Sequence, residues 1–196
     1  MSFGLVSLLM AVAIGIAAVL IYNRLIALRN RSLNGFSQIE VQLQRRYELI
    51  PNLVATASAY MKHEADTLTA VTEARNTASA KCDAAAKDPQ DASLVSALAS
   101  ADGALTNAMG RLNVVMENYP DLKADAQMRD LAEELASTEN RVAYARQAYS
   151  DAVMEYNTAR EQFPAVVVAN ACSFKEADLF EAEDPAMRQA VNVSFA

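Results

Sequence analysis

The single histidine of the chain, His63, is followed directly by a glutamate, as in the zinc-binding motif of metalloproteases. That motif needs a second histidine three residues after the glutamate, and Thr67 stands there instead. A second acidic group, Glu133, Glu134 and Glu139, lacks the Glu-x-x-His pairs that a di-iron bundle site requires. The chain has no glycine-rich phosphate loop either. The sequence therefore predicts no enzyme activity, no metal and no cofactor.

Composition restricts the class of protein further. The net charge is −7 and the pI is near 4.8, which argues against a nucleic-acid partner because such proteins normally carry a basic face. Five glycines, five prolines and 53% hydrophobic residues favour long helices over sheet. Cys82 and Cys172 are far apart and not in metal-binding spacing, which is typical of idle thiols in a reducing compartment.

Two polar residues fall in the middle of a long helical pattern. Asn140 and Arg141 follow Glu139, although helix interiors do not favour asparagine. One explanation is a buried polar contact that sets the register between helices, and the other is a ligand site. We favour the first and predict Asn140 and Arg141 as register-setting residues.

A second polar set recurs every seven residues along the first helix: Arg24, Arg31, Gln38, Arg45 and Asn52. Anionic lipid attracts only the lowest members, because that attraction fades within about 10 Å. Arg45 lies about 30 Å further along the helix. The simpler interpretation is a solvated face. We predict instead a homo-oligomer in which this stripe contacts the acidic face of a neighbouring copy. The predicted contact residues are Arg31, Gln38, Arg45, Asn52, Glu133 and Glu134.

The N-terminus has the pattern of a membrane anchor. Residues 1–23 carry no charge, and the apolar run from Phe3 to Tyr22 makes a helix of about 30 Å, the thickness of a bilayer core. The first charges are Arg24, Arg29 and Arg31, so the positive-inside rule predicts an external N-terminus and a cytoplasmic C-terminal domain. A cleaved signal peptide is the weaker alternative, because no positive residue precedes Arg24.

Apolar residues at three-four spacing predict the elements that carry these polar sets. The pattern runs from Asn23 to about Ala86 with a kink at Pro51, then through 89–119 and 121–163. Asp88 is expected to cap the second of these helices. The rows of apolar residues through Leu105 and through Leu135, which we call seams, predict coiled-coil-like packing.

The predicted fold class is therefore all-α: a transmembrane helix continuing into an antiparallel bundle of three or four long helices. Residues 1–23 form the anchor, and 24–50 a stalk or the first bundle helix. Residues 51–163 form the bundle. Residues 164–196 form a C-terminal fold-back segment and a poorly ordered tail.

Residues Tyr22–Arg31 and Ser37–Val54 closely resemble the opening signature of the LemA family. The resemblance resumes in His63-Glu64, Glu73-Ala74-Arg75, Tyr119 to Ala124, Glu139 to Arg146, Tyr156-Asn157 and Phe163-Pro164. It implies a single-pass bacterial membrane protein with a helical cytoplasmic domain and without an established enzyme activity. One member takes part in forming magnetosome membranes, which implies membrane organisation.

The chain departs from the family at one turn. Where the family usually has Gly-Phe near the C-terminus, this chain has Ser173-Phe174, and serine does not readily adopt the left-handed conformation that glycine supplies.

Two functions are compatible with these features. The leading hypothesis is a membrane-anchored helical scaffold that holds copies of itself, and a membrane-protein partner, at the cytoplasmic face. The alternative is a ligand-sensing or regulatory module, which predicts a cavity lined by tyrosines with Asn140 or Arg141 inside.

Overall fold

The computed structural model describes residues 2–181, which form helices and no strand within that range. The elements are α1 (Ser2–Tyr60), α2 (Ala65–Lys87), α3 (Ala92–Met116), α4 (Pro120–Ala124), α5 (Ala126–Glu161) and α6 (Ala165–Ala171). The chain is thus all-α, with a long apolar N-terminal helix followed by a helical bundle, as predicted. The predicted C-terminal tail from Asp184 lies outside the described residues.

Helix α1 changes its surroundings along its length. The large apolar side chains from Phe3 to Leu20 are exposed, and the most apolar window of 18 residues is not buried by any other element. From Leu25 onward one stripe is buried instead, through Phe36, Leu43, Ile50 and Ala57. The sequence was compatible with either a stalk or a bundle helix over residues 24–50. These residues carry part of the buried core.

Pro51 lies inside α1 without ending it. Proline has no N–H to donate to the carbonyl four residues earlier, so the oxygen of Tyr47 loses its helical partner. Nε of Arg75, on α2, donates to that oxygen at 2.9 Å. A neighbouring helix thus supplies a donor to the carbonyl that the proline leaves without its helical partner.

The long helices pack antiparallel. Arg75 and Asp83 of α2 contact Tyr47 and Gln44 of α1, so residue numbers fall along one helix as they rise along the other. Helix α5 pairs with α1 in the same sense, because Arg45 meets Glu134 and Arg31 meets Glu155. Helix α3 packs against α2. Leu105 of α3 and Leu135 of α5 are buried, as their seams predicted.

The continuous helix predicted from residue 24 to about 86 is wrong. It ends at Tyr60, and Met61–Glu64 form a turn before α2. Met61 is fully buried, and the reversal lets Leu68 and Val71 face α1 from the side. The apolar spacing continues through both helices, and no proline or glycine marks the reversal, so the pattern did not reveal it.

Other helix boundaries also differ from prediction. The segment predicted as one helix over 121–163 is divided at Asp125 into α4 and α5. Asp91, and not Asp88, caps α3, because its carboxylate accepts from the backbone N–H of Ser93 and Leu94. The final long helix ends at Glu161 and not at Phe163. Phe163 therefore leaves the predicted seam and is 84% exposed.

The turn after α6 forms despite its serine. Ser173 has a positive φ of 56°, the left-handed conformation that glycine usually supplies. The N–H of Phe174 donates to the oxygen of Ala169, and that of Ser173 to the oxygen of Asn170. This pair of bonds is a Schellman motif, which satisfies the last carbonyls of α6 and turns the chain back.

Candidate functional site

A cluster of charged side chains joins three helices in the middle of the bundle. Nη1 of Arg46, on α1, donates to Oδ1 of Asp102, on α3, at 3.0 Å. Nη2 of Arg46 donates to Oγ1 of Thr106 at 3.0 Å, and its Nε lies 2.7 Å from Oε1 of Glu139, on α5. Arg146 of α5 pairs with the second oxygen of Asp102. Two arginines and two carboxylates balance each other's charge.

Burial makes this cluster energetically important. The side chains of Arg46 and Asp102 are 1% and 0% exposed, whereas Glu139 and Arg146 lie partly in solvent. A buried charge is costly unless it is paired and hydrogen-bonded, so each of the two buried groups depends on the other. The cluster ties α3, which packs on α2, to α1 and α5.

Tyr47 lies beside this cluster and faces the core. Its hydroxyl is buried and has no hydrogen-bond partner among the described residues. Burial, reinforced by the negative charge of Asp102, raises the pKa of Tyr47 well above its usual range. The phenol therefore stays protonated and acts as a packing group, and it supplies no base.

The cluster occupies the role that we predicted for Asn140 and Arg141. Both of those side chains are exposed, so the prediction that they form a buried contact is wrong. Asn140 lies on the face of α5 opposite the buried Thr138 and Val142, and Arg141 lies on the flank between these faces. The buried polar contact between the helices is formed by Arg46 and Asp102.

The polar stripe on α1 is engaged within the chain. Arg45 pairs with Glu134, and Arg31 pairs with Glu155, because α5 runs along this side of α1. Gln38, Asn52 and Glu133 are exposed. The pairing of Arg45 with the acidic face of α5, which we expected between copies, is therefore satisfied inside one copy.

The tyrosines of α5 do not line a cavity together. Tyr149 and Tyr156 are buried, and their hydroxyls donate to the backbone oxygens of Asp178 and Lys175. Burial raises the pKa of Tyr149 to about 12. Tyr144 is exposed. These side chains hold the C-terminal segment against α5, so they do not support the ligand-sensing alternative.

No group of three or more metal-ligating side chains occurs within residues 2–181. His63 is exposed in the turn between α1 and α2. Burial raises the pKa of the Cys82 thiol to about 12, so it remains an inert thiol, whereas Cys172 is exposed.

A signal for the ionic cluster was present in the sequence and was missed. Asp102 lies four residues after Leu98 and three before Leu105, so a carboxylate occupies a position of the apolar seam. On α1, Arg46 lies three residues after Leu43 and four before Ile50, so it also occupies a position of an apolar seam. Charged residues in the register of two seams indicate a buried pair.

Comparison with known proteins places this architecture among relatives. The family model described as the LemA family matches residues 35–195. Magnetosome protein MamQ 2 of Paramagnetospirillum magneticum (strain ATCC 700264 / AMB-1) is 30% identical over 196 aligned positions, which cover 92% of this chain and 72% of that protein. Magnetosome protein MamQ of Magnetospirillum gryphiswaldense (strain DSM 6361 / JCM 21280 / NBRC 15271 / MSR-1) is 28% identical with the same coverage.

Proposed function

Because the chain belongs to the LemA family, we propose that it is a scaffold without enzyme activity, anchored at the cytoplasmic face of a bacterial membrane. The related proteins are named as magnetosome proteins, which supports a role in organising a membrane. The scaffold would hold copies of itself and a membrane-protein partner close to the lipid surface.

The observation that carries this proposal is the continuity of α1. One helix of 59 residues contains both the exposed apolar run and the buried stripe of the bundle, and the described chain has no linker between them. A bundle built on the same helix as its anchor is held close to the membrane at a distance that the helix sets. This arrangement suits a protein that positions others.

The proposed orientation places the bundle in the cytoplasm, because Arg24, Arg29 and Arg31 follow the apolar run. His63→Cys, in the exposed turn after α1, tests it in a Cys172→Ser background. In intact spheroplasts a membrane-impermeant maleimide should label this cysteine only after lysis. Labelling before lysis would show that the bundle lies outside the cytoplasm and would contradict the proposed orientation.

Self-association remains part of the proposal, but we now place the contact between copies in the apolar run and not at Arg45. Arg45 is already paired within the chain, whereas the span exposes a shallow groove at Val12, Gly15 and Val19. A side chain added at Gly15 would meet no atom within 4 Å, so a second helix has room to approach.

The test is cross-linking in membranes followed by mass spectrometry. With Cys172→Ser as background, Gly15→Cys should form a disulfide between copies under mild oxidation, and Gln38→Cys serves as the matched position on the bundle. Cross-linking at Gln38 alone would favour the stripe on α1. A chain that is monomeric in membranes and cross-links to no other protein would refute the scaffold.

A further inference from the structure

The membrane-facing end of the bundle exposes an apolar surface outside the span. It consists of Phe163, which is 84% exposed, and Val167 of α6, which is 61% exposed. Phe163 is nearly as exposed as Phe3 inside the apolar run, at 89%. Residues 162–174 around it carry no charged side chain.

The pairing of α1 with α5 shows where this surface lies relative to the end of the apolar run. Arg31 of α1 meets Glu155 of α5, and the two helices are antiparallel. Helix α5 continues from Glu155 to its end at Glu161, and Phe163 follows two residues later. Eight residues back along α1 from Arg31 is Asn23, where the uncharged run ends. Phe163 is therefore level with the cytoplasmic end of the span.

Contacts of Phe174, which follows α6, place this end of the bundle at the same level along α1. The ring of Phe174 lies 5.5 Å from that of Tyr22, edge to face, and the guanidinium of Arg29 lies 5.6 Å from the Phe174 ring centre. Ile21, the last apolar residue before Tyr22, packs against the bundle core. The bundle thus begins inside the apolar run, and its end stands at the lipid boundary.

We propose that Phe163 and Val167 form a second membrane contact, which inserts into the headgroup and acyl boundary of the bilayer that holds the span. Apolar side chains at this depth are typical of interfacial segments. The exposed Arg24 follows Asn23 directly, at a level where cations favour anionic lipid headgroups. Two contacts, one through the span and one beside it, prevent the bundle from tilting on its anchor.

The absence of tryptophan from the chain permits a direct test. Phe163→Trp and Val167→Trp each introduce a single tryptophan, which can be excited selectively over the tyrosines, into the full-length protein reconstituted in vesicles of phosphatidylcholine and phosphatidylglycerol. We expect an emission maximum at shorter wavelength than in water, and strong loss of emission when the acyl chains are brominated. Circular dichroism confirms that each variant keeps the parental helix content.

Two matched positions complete the experiment. Tyr144→Trp replaces a residue that is 76% exposed on α5, about 28 Å from Phe163 by helical rise, and should emit as in water without quenching. Leu20→Trp lies in the span and should be quenched.

Each outcome then has one meaning. Quenching at Leu20 without quenching at residues 163 and 167 overturns the second contact and leaves the anchor intact. A blue-shifted but unquenched signal at residues 163 and 167 also overturns it, because protein and not lipid then covers the surface. No quenching at Leu20 overturns both the anchor and the contact that depends on it.

Discussion

Arg45 and Arg46 are neighbours in the sequence, both lie on α1, and both pair with carboxylates, yet their surroundings differ completely. The side chain of Arg45 is 54% exposed, and it pairs with Glu134 at the surface. The side chain of Arg46 is 1% exposed and holds the fully buried Asp102. One residue of helical rotation moves the side chain by about 100° around the axis, enough to take it from water into the core.

The difference shows that the number of ion pairs says little about which of them matter. At the surface, attraction is weakened by water and offset by the entropy of two long side chains, so a pair contributes about 0–1 kcal/mol. In the core, removal of one partner leaves the other charge without compensation. The cluster around Arg46 is therefore the ion-pair site at which loss of one partner should affect stability most.

The largest expected effect is at the buried cluster. Arg46→Ala should lower the free energy of unfolding by about 3–5 kcal/mol, because Asp102 then keeps a buried charge with only one arginine. The measurement is urea unfolding of the full-length protein in detergent micelles, followed by circular dichroism. Arg45→Ala is the matched control, with an expected loss of about 1 kcal/mol or less. Equal losses of stability in the two variants would contradict the inference that the buried pair matters more than the surface pair.

A third arginine adds a case between these two. Arg75→Met keeps the apolar stem but removes the donor to the oxygen of Tyr47, which should cost about 1–3 kcal/mol. In a Pro51→Ala background the restored N–H satisfies that oxygen, so the same substitution should cost less than about 0.5 kcal/mol. The double-mutant cycle measures the difference. Identical costs in both backgrounds would mean that Arg75 does not compensate for the proline.

The smallest effect is expected at the surface pair itself. A double-mutant cycle of Arg45→Ala and Glu134→Ala should give a coupling of about 0.2–1 kcal/mol. The coupling should shrink further in 1 M salt, where the Debye length is about 3 Å. A coupling above about 2 kcal/mol that persists in salt would place Arg45 in the same class as Arg46.

Patterns that act locally predicted much of the fold. The length of the apolar run indicated a span, and the three-four spacing identified the faces that bury Leu105 and Leu135. The boundary at Tyr60 was missed because the spacing of apolar residues continues into α2. The cap of α3 was assigned to Asp88 and not to Asp91, since both carboxylates stand close to Pro89 in the sequence.

The polar residues were predicted less well, because a helical pattern shows which residues share a face and not what covers that face. Asn140 and Arg141 drew attention as polar residues inside a helix, but their face of α5 is exposed. Arg45 was expected to reach a second copy, but it pairs with Glu134 on α5 of the same chain. Arg46 and Asp102 lay in the register of apolar seams, and their meaning depended on two helices far apart in sequence.

The sequence by itself determined that the chain is helical, that its first helix has the length and composition of a membrane span, and which stripe of each long helix is apolar. These properties follow from residue type and from a period of 3.6, which neighbouring residues share. Only the tertiary structure decided that Arg75 completes α1 at Pro51, that Asp102 holds α1, α3 and α5 together, and that Ser173 adopts a positive φ. Each depends on an atom brought near by packing, since a lone carbonyl, a buried charge or a strained backbone persists only where surrounding contacts compensate for it.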